Sequence, residues 1–160
     1  MVTVARTVSK RTTRREFSIQ KKLYKLLPKN VPKPISYKNG VMTMNKCGVS
    51  VKKWLCTHKY TNKTLAKIIR NVRLILDKIR RRYPGFRHMD LHAGNVLVYK
   101  DRIMIIDFGL SRFNANNLCP CYDLKMFTRS LKRFVSRAKK MSSSSSMSAA
   151  SIAKRLLIRA

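Results

Sequence analysis

The stretch from residue 86 to 110, FRHMDLHAGNVLVYKDRIMIIDFGL, leaves the chain few ways to fold. Val96, Leu97 and Val98 make one apolar strand-like run, and Ile103, Met104, Ile105 and Ile106 make a second. Lys100-Asp101 supplies polar residues where a hairpin between them would turn. The loop from His88 to Asn95 enters this hairpin, and Asp107-Phe108-Gly109 leaves it. Paired antiparallel, the two strands bring both loops to one end. Asp90, Asn95 and Asp107 then face a common point.

The pairing of H-x-D-L-x-x-x-N with D-F-G resembles the protein-kinase-like superfamily. Asn95 lies five residues after Asp90, and Asp107 twelve after Asn95, close to that family's spacing. The resemblance implies an ATP-dependent phosphotransferase, with ATP and Mg²⁺ as its cofactors. Asp90 is then the catalytic base that orients the attacking hydroxyl and accepts its proton. Asn95 and Asp107 are the oxygen ligands that hold Mg²⁺ against the nucleotide phosphates. His88 and Asp123 support the catalytic loop, the aspartate from the start of the following helix.

The scarcity of acid sharpens this reading. The chain has 37 Lys plus Arg and six acids: Glu16, Asp77, Asp90, Asp101, Asp107 and Asp123. Four of these fall where a kinase-like fold uses an acid. The net charge is +31, spread as 12, 13 and 12 basic residues over 1–50, 51–100 and 101–160. Such a surface repels itself unless anions neutralise it. An acidic protein substrate, a nucleotide or nucleic acid is the natural counter-charge; a bias of composition alone is the alternative.

In chain order, residues 2–8 read as a strand, and a helix follows from about Arg14 to Leu27, with Thr12 or Thr13 as its cap. Ile19, Leu23, Leu26 and Leu27 repeat at helical spacing. Glu16 opens this helix. In the kinase-like superfamily an acid here pairs with a strand lysine that holds nucleotide phosphates; otherwise it is a helix-start charge favoured by the dipole. No G-x-G-x-x-G loop or V-A-I-K precedes it, so Arg6 is the positional substitute for the lysine and Lys10 the second. Helix, Leu27-Pro28 and Val31-Pro32-Lys33-Pro34 together are also similar to aminoglycoside and choline phosphotransferases.

Lys38-Asn39-Gly40 between Ile35-Tyr37 and Val41-Met44 marks a second hairpin. Residues 45–48 stand where kinases bind the adenine edge. Val49 to Cys56 reads as a short helix, and Asn62 to Tyr83 as the longest one. Its apolar stripe is Leu65, Ile68, Ile69, Val72, Ile75, Leu76 and Ile79, with Arg80-Arg81-Arg82 as cap and solvated face. A further helix runs from Asp123 to about Lys140. Residues 111–120 would form a short activation segment without A-P-E. Met89 stands where an arginine usually precedes the catalytic aspartate, so control by loop phosphorylation is not expected.

The expected fold is α/β (α+β), a reduced two-lobe kinase-like domain over 1–140. Residues 1–46 are its small antiparallel sheet and helix, and 47–140 its mostly helical lobe. A Ser-rich linker at 141–148 and a basic amphipathic tail at 149–160 follow. Cys47, Cys56, Cys119 and Cys121 lack zinc-site spacing and are expected to be reduced thiols. The chain contains no apolar run long enough for a transmembrane segment and no secretory leader, which points to the cytoplasm or nucleus; compact viral genomes also carry reduced chains of this kind.

Within the superfamily, Ile106-Asp107-Phe108-Gly109-Leu110-Ser111 looks like the atypical serine/threonine protein kinases of tRNA modification and the RIO group. Asp90-Leu91-His92-Ala93-Gly94-Asn95 looks more like small-molecule kinases. A catalytically dead kinase-like binding module is the alternative from another class, favoured by the missing glycine loop.

Overall fold

A computed structural model describes residues 6–7 and 10–143, with side chains from 14 to 138. Ten elements follow in order. A strand β1 (Arg6–Thr7) leads into helix α1 (Lys10–Leu26) and the hairpin β2 (Pro34–Lys38) and β3 (Val41–Met44). Next come β4 (Val49–Ser50), α2 (Val51–Thr57) and α3 (Asn62–Arg82). The hairpin β5 (Val96–Tyr99) and β6 (Arg102–Ile105) precedes α4 (Tyr122–Ser143). Two antiparallel three-stranded sheets result, ordered β1-β3-β2 and β4-β5-β6. This is the expected reduced kinase-like arrangement of a small sheet with one helix beside a mostly helical lobe.

The β2–β3 turn forms because Asn39 and Gly40 both accept positive φ, 50° and 80°, as a two-residue turn matched to strand twist requires. Gly48, at φ 79°, is needed for a second reason: a Cβ there would overlap the Val98 carbonyl of β5. That close approach lets β4 pair with β5, Val49 opposite Val98 and Ser50 opposite Leu97.

Helix α3 is amphipathic, and its buried face is Ile68, Val72, Ile75, Leu76 and Ile79. Thr61 and Thr64 cap it reciprocally: the Thr64 N–H donates to Thr61 Oγ1 at 3.2 Å and the Thr61 N–H to Thr64 Oγ1 at 3.3 Å. Arg80 is more than a solvated cap. It pairs with Asp77 and donates to the Pro120 carbonyl, both at 2.6 Å. The core gathers this face with Leu23 of α1, Leu27 just after it, Phe86, Leu91, Val96, Ile105, Phe108 and Phe127.

Several expectations need correction. Helix α1 begins at Lys10, so Thr12 and Thr13 lie inside it. The apolar stripe starts later than the helix, and the basic residues upstream contain no Pro or Gly to stop propagation. Val49–Ser50 is a strand, and Ser50 then caps α2 by accepting from the Lys53 N–H at 3.2 Å. Cys119 and Cys121 are joined by a disulfide rather than present as thiols; Pro120 bends the chain so that their Cα atoms are 5.2 Å apart, within bridging range. Cys47 and Cys56 are free. Helix α4 runs to Ser143, into the Ser-rich stretch, and the 149–160 tail lies outside the described residues. Among the described residues no helix is long and apolar enough to cross a membrane.

Candidate active site

The β5–β6 hairpin brings the two loops together as its register demands, with Val96 opposite Ile105. One step beyond, the Ile106 N–H donates to the Asn95 carbonyl at 3.0 Å, which joins the loop containing Asp90 to the loop containing Asp107. Met89 and Asp107 hold φ of 70° and 67°. Non-glycine residues in the left-handed region cost energy and persist where their surroundings over-determine them. Here Met89 directly precedes Asp90, and Asp107 is itself one of the candidate site residues.

Asp90 presents its side chain 39% exposed. Its loop is tied from within by Asn95, which is 6% exposed and donates Nδ2 to the Asp90 carbonyl at 3.0 Å and to Oδ2 at 3.4 Å. With Nδ2 so used, Oδ1 is the atom with which Asn95 would meet a hard cation. Oxygen donors from Asn95 and Asp107 suit Mg²⁺, which keeps waters and phosphates in its shell rather than an all-protein cage. Among the described residues no cluster of three or more His, Cys, Asp or Glu is arranged to hold an ion.

From outside, the loop hangs on Asp123. This residue is fully buried at the start of α4 and accepts the N–H of His88 at 3.0 Å and of Met89 at 3.1 Å. Asp123 thus ties the start of the Asp90 loop to α4. His88 is also fully buried. Its Nε2 donates to the Ile106 carbonyl at 3.0 Å, while Nδ1 faces the Asp90 N–H at 3.4 Å. Both contacts require the neutral ring with the proton on Nε2. Burial pushes the His88 pKa below its ordinary 6.5, against the opposing pull of Asp123, the Ile106 carbonyl, Asp107 and Asp90.

The sign follows from linkage. The unfolded chain takes up a proton near pH 6.5 that the folded chain resists, so the His88 contribution to stability is complete above that pH. It is lost as pH falls below 6.5 toward the folded value, at a slope of up to about 1.4 kcal/mol per pH unit. Urea midpoints of wild type and His88→Asn, compared from pH 7 to 5, should converge with acid. Parallel curves would contradict a neutral buried ring.

Residues that the motif reading passed over also build the site. Arg87, 2% exposed, donates to the carbonyls of Pro84 at 3.1 Å, Phe86 at 2.6 Å and Leu118 at 2.7 Å, and its backbone pairs with that of Arg112. It clamps the segment after Asp107 to the entry of the catalytic loop. In a chain so rich in arginine, nothing local distinguishes this one. His92 Nε2 lies 3.8 Å from Asp90 Oδ2, and its Nδ1 accepts the Gly94 N–H at 3.0 Å. A Cβ on Gly94 would come within 2.8 Å of that ring, so glycine is what lets the imidazole sit against the carboxylate.

Glu16 lies well inside α1 at 3% exposure and has an interaction partner. A solvated charge at a helix start is therefore not its role. Arg6 falls in β1 opposite Met42, and Lys10 is the first residue of α1; their side chains lie outside the described residues. Between the lobes, Cys47 is buried with its thiol donating to the Asn45 carbonyl at 3.0 Å, and burial raises its pKa.

Residues 2–145 match the family model described as the RIO domain. The chain is also similar to the EKC/KEOPS complex subunit BUD32 of Enterocytozoon bieneusi (strain H348), 31% identical over 134 residues. That alignment covers 78% of this chain and spans 64% of the relative's length. With nearly its whole length matched and the paired loops in place, the chain belongs to the RIO-domain family, a branch of the protein-kinase-like superfamily.

Proposed function

We propose that the protein is an ATP-dependent phosphotransferase, an atypical kinase acting on serine or threonine hydroxyls of a protein substrate. The observation that carries this is the double suspension of the Asp90 loop, by Asn95 from within and by Asp123 from α4, which leaves a half-exposed carboxylate aimed outward. Asp90 orients the acceptor hydroxyl and takes its proton as the oxygen bonds to the γ-phosphorus and the bond to ADP breaks. Asn95 Oδ1 and the Asp107 carboxylate would hold Mg²⁺, which would neutralise the phosphate charge. Glu16, with Arg6 or Lys10, orders the phosphates, and the backbone of residues 45–47 receives the adenine edge. A protein acceptor fits a chain of net charge +31 if it is acidic. The similar Enterocytozoon bieneusi protein is by name a complex subunit, so this chain too is assigned a role among protein partners.

The test is Mg²⁺-dependent ATP binding, followed by phosphate transfer to a panel of proteins. Asp107→Asn should fold normally and lose the metal dependence, because an amide carries no charge to offset Mg²⁺. Equal metal dependence in wild type and variant would remove Asp107 from the site. Wild-type protein that binds ATP but transfers nothing to protein, small alcohols or water would favour a binding module instead. His92 in the D-L-H-A-G-N loop is the feature that keeps a small-molecule acceptor on the panel.

A further inference from the structure

A cleft of about 1020 Å³ opens beside α1, and neither Asp90, Asn95 nor Asp107 is among the residues that line it. Arg14, Arg15 and Lys22 line it with Ser18, Tyr37 and Phe113, and no acid stands among the described lining residues. Arg14, Ser18 and Lys22 are exposed and fall at successive four-residue steps. They therefore form a row of donors along one helix face, about 12 Å long at 1.5 Å per residue. Arg15 adds a fixed point: its Nη2 donates to the Ser111 carbonyl at 2.8 Å, which ties α1 to the segment after Asp107.

The aromatic residues decide what kind of anion fits. Phe113 packs on Tyr83 at 5.0 Å and on Phe86 at 5.4 Å, and the Lys22 ammonium lies 4.8 Å over its ring. Tyr37 is 6.2 Å from Phe17. Rings engaged in this way are poor platforms for stacked bases, on which single-stranded nucleic acid binding depends. What is offered instead is a row of cations and a hydroxyl. That is the chemistry that takes a phosphate monoester on an extended peptide, with acidic neighbours.

We propose that this cleft binds a phosphorylated serine or threonine segment of a partner protein, with Arg14, Arg15 and Lys22 meeting the phosphate and its flanking carboxylates. The site does not depend on the phosphotransferase reading. An occupant would touch α1 and the Ser111–Phe113 segment together, bracing the helix that carries Glu16.

Fluorescence anisotropy on the full chain tests this at about 150 mM salt, where surface attraction is screened. The probes are a labelled phosphoserine peptide with glutamate flanks, its unphosphorylated counterpart and a short oligouridylate of matched charge. The proteins are wild type, Arg14→Ala/Lys22→Ala, and the charge-matched Lys132→Ala/Arg137→Ala on α4, where a second basic surface lies. All four positions are exposed on helices, where alanine is well tolerated. Wild type should bind the phosphopeptide at least ~10-fold more tightly than the unphosphorylated one. Loss of charged hydrogen bonds should weaken the cleft variant by about 10–100-fold, and the α4 variant should stay within about two-fold by additivity of distant sites. Equal weakening of both variants would reduce the effect to net charge and overturn the proposal. So would indifference to the phosphate, or an oligouridylate that binds more tightly and is lost in the cleft variant.

Discussion

Asp90→Asn should bind ATP almost as wild type does and lose phosphate transfer by about 10²–10⁴-fold, the usual worth of general-base assistance. The substitution keeps the shape of the loop. Asn95 Nδ2 retains the Asp90 carbonyl as acceptor at 3.0 Å, and only the weaker 3.4 Å contact to the side chain changes character. Binding and turnover are thereby separated, which a variant that unfolded the loop could not achieve. ATP affinity and single-turnover transfer, measured on the same preparation, check it. Equal transfer by both proteins would mean that Asp90 is not the base.

The second large effect is on stability. Asp123→Ala strips two buried N–H groups, those of His88 and Met89, of a charged acceptor. Hydrogen bonds to charged groups are worth about 1.5–3 kcal/mol each, so the expected loss is roughly 3–6 kcal/mol. Against a typical stability of ~5–15 kcal/mol this is a large share, and the melting temperature should fall by about 6–24 °C. Asp123→Asn keeps one carbonyl acceptor and should lose about half as much by the same reckoning. Its turnover should fall mildly, since it loosens the loop without touching the base. A melting temperature within a degree or two of wild type for Asp123→Ala would show that the loop is held by something else.

The candidate centre could be assembled from the sequence because its residues are local. Asp90, Asn95 and Asp107 lie within eighteen positions of one another, joined by a hairpin whose apolar alternation and polar turn are strong local signals. The residues 62–83 helix was legible for the same reason, an unbroken apolar stripe. Asp123 needed the family pattern, since nothing local says that an aspartate before a helix reaches back thirty-five residues to His88. What escaped was decided by tertiary contact. Arg87 differs from its many basic neighbours in being enclosed by three carbonyls, those of Pro84 and Phe86 just before it and that of Leu118 in a remote loop. Strand β4 is two residues long, too short for any periodicity, and exists because Gly48 admits the β5 backbone. The Thr61–Thr64 cap replaces the usual glutamate by threonine, so the familiar pattern is absent.

Asn30, in the turn between α1 and β2, donates Nδ2 to the Ile103 carbonyl at 2.9 Å and accepts the Ile105 N–H at 2.9 Å. This is a two-point pivot that joins the small lobe to the outer edge of β6. Any opening of the cleft between the lobes must swing about that edge, because sliding would break both bonds together. On the far side of the swing, Arg15 and Ser111 form the latch that parts. Parting of the two lobes is thereby reduced to a one-axis motion whose free side is the α1 end. Asn30→Ala would remove the side-chain bond and leave the backbone one, turning a two-point hinge into a looser one-point joint with the Asp90 loop itself untouched.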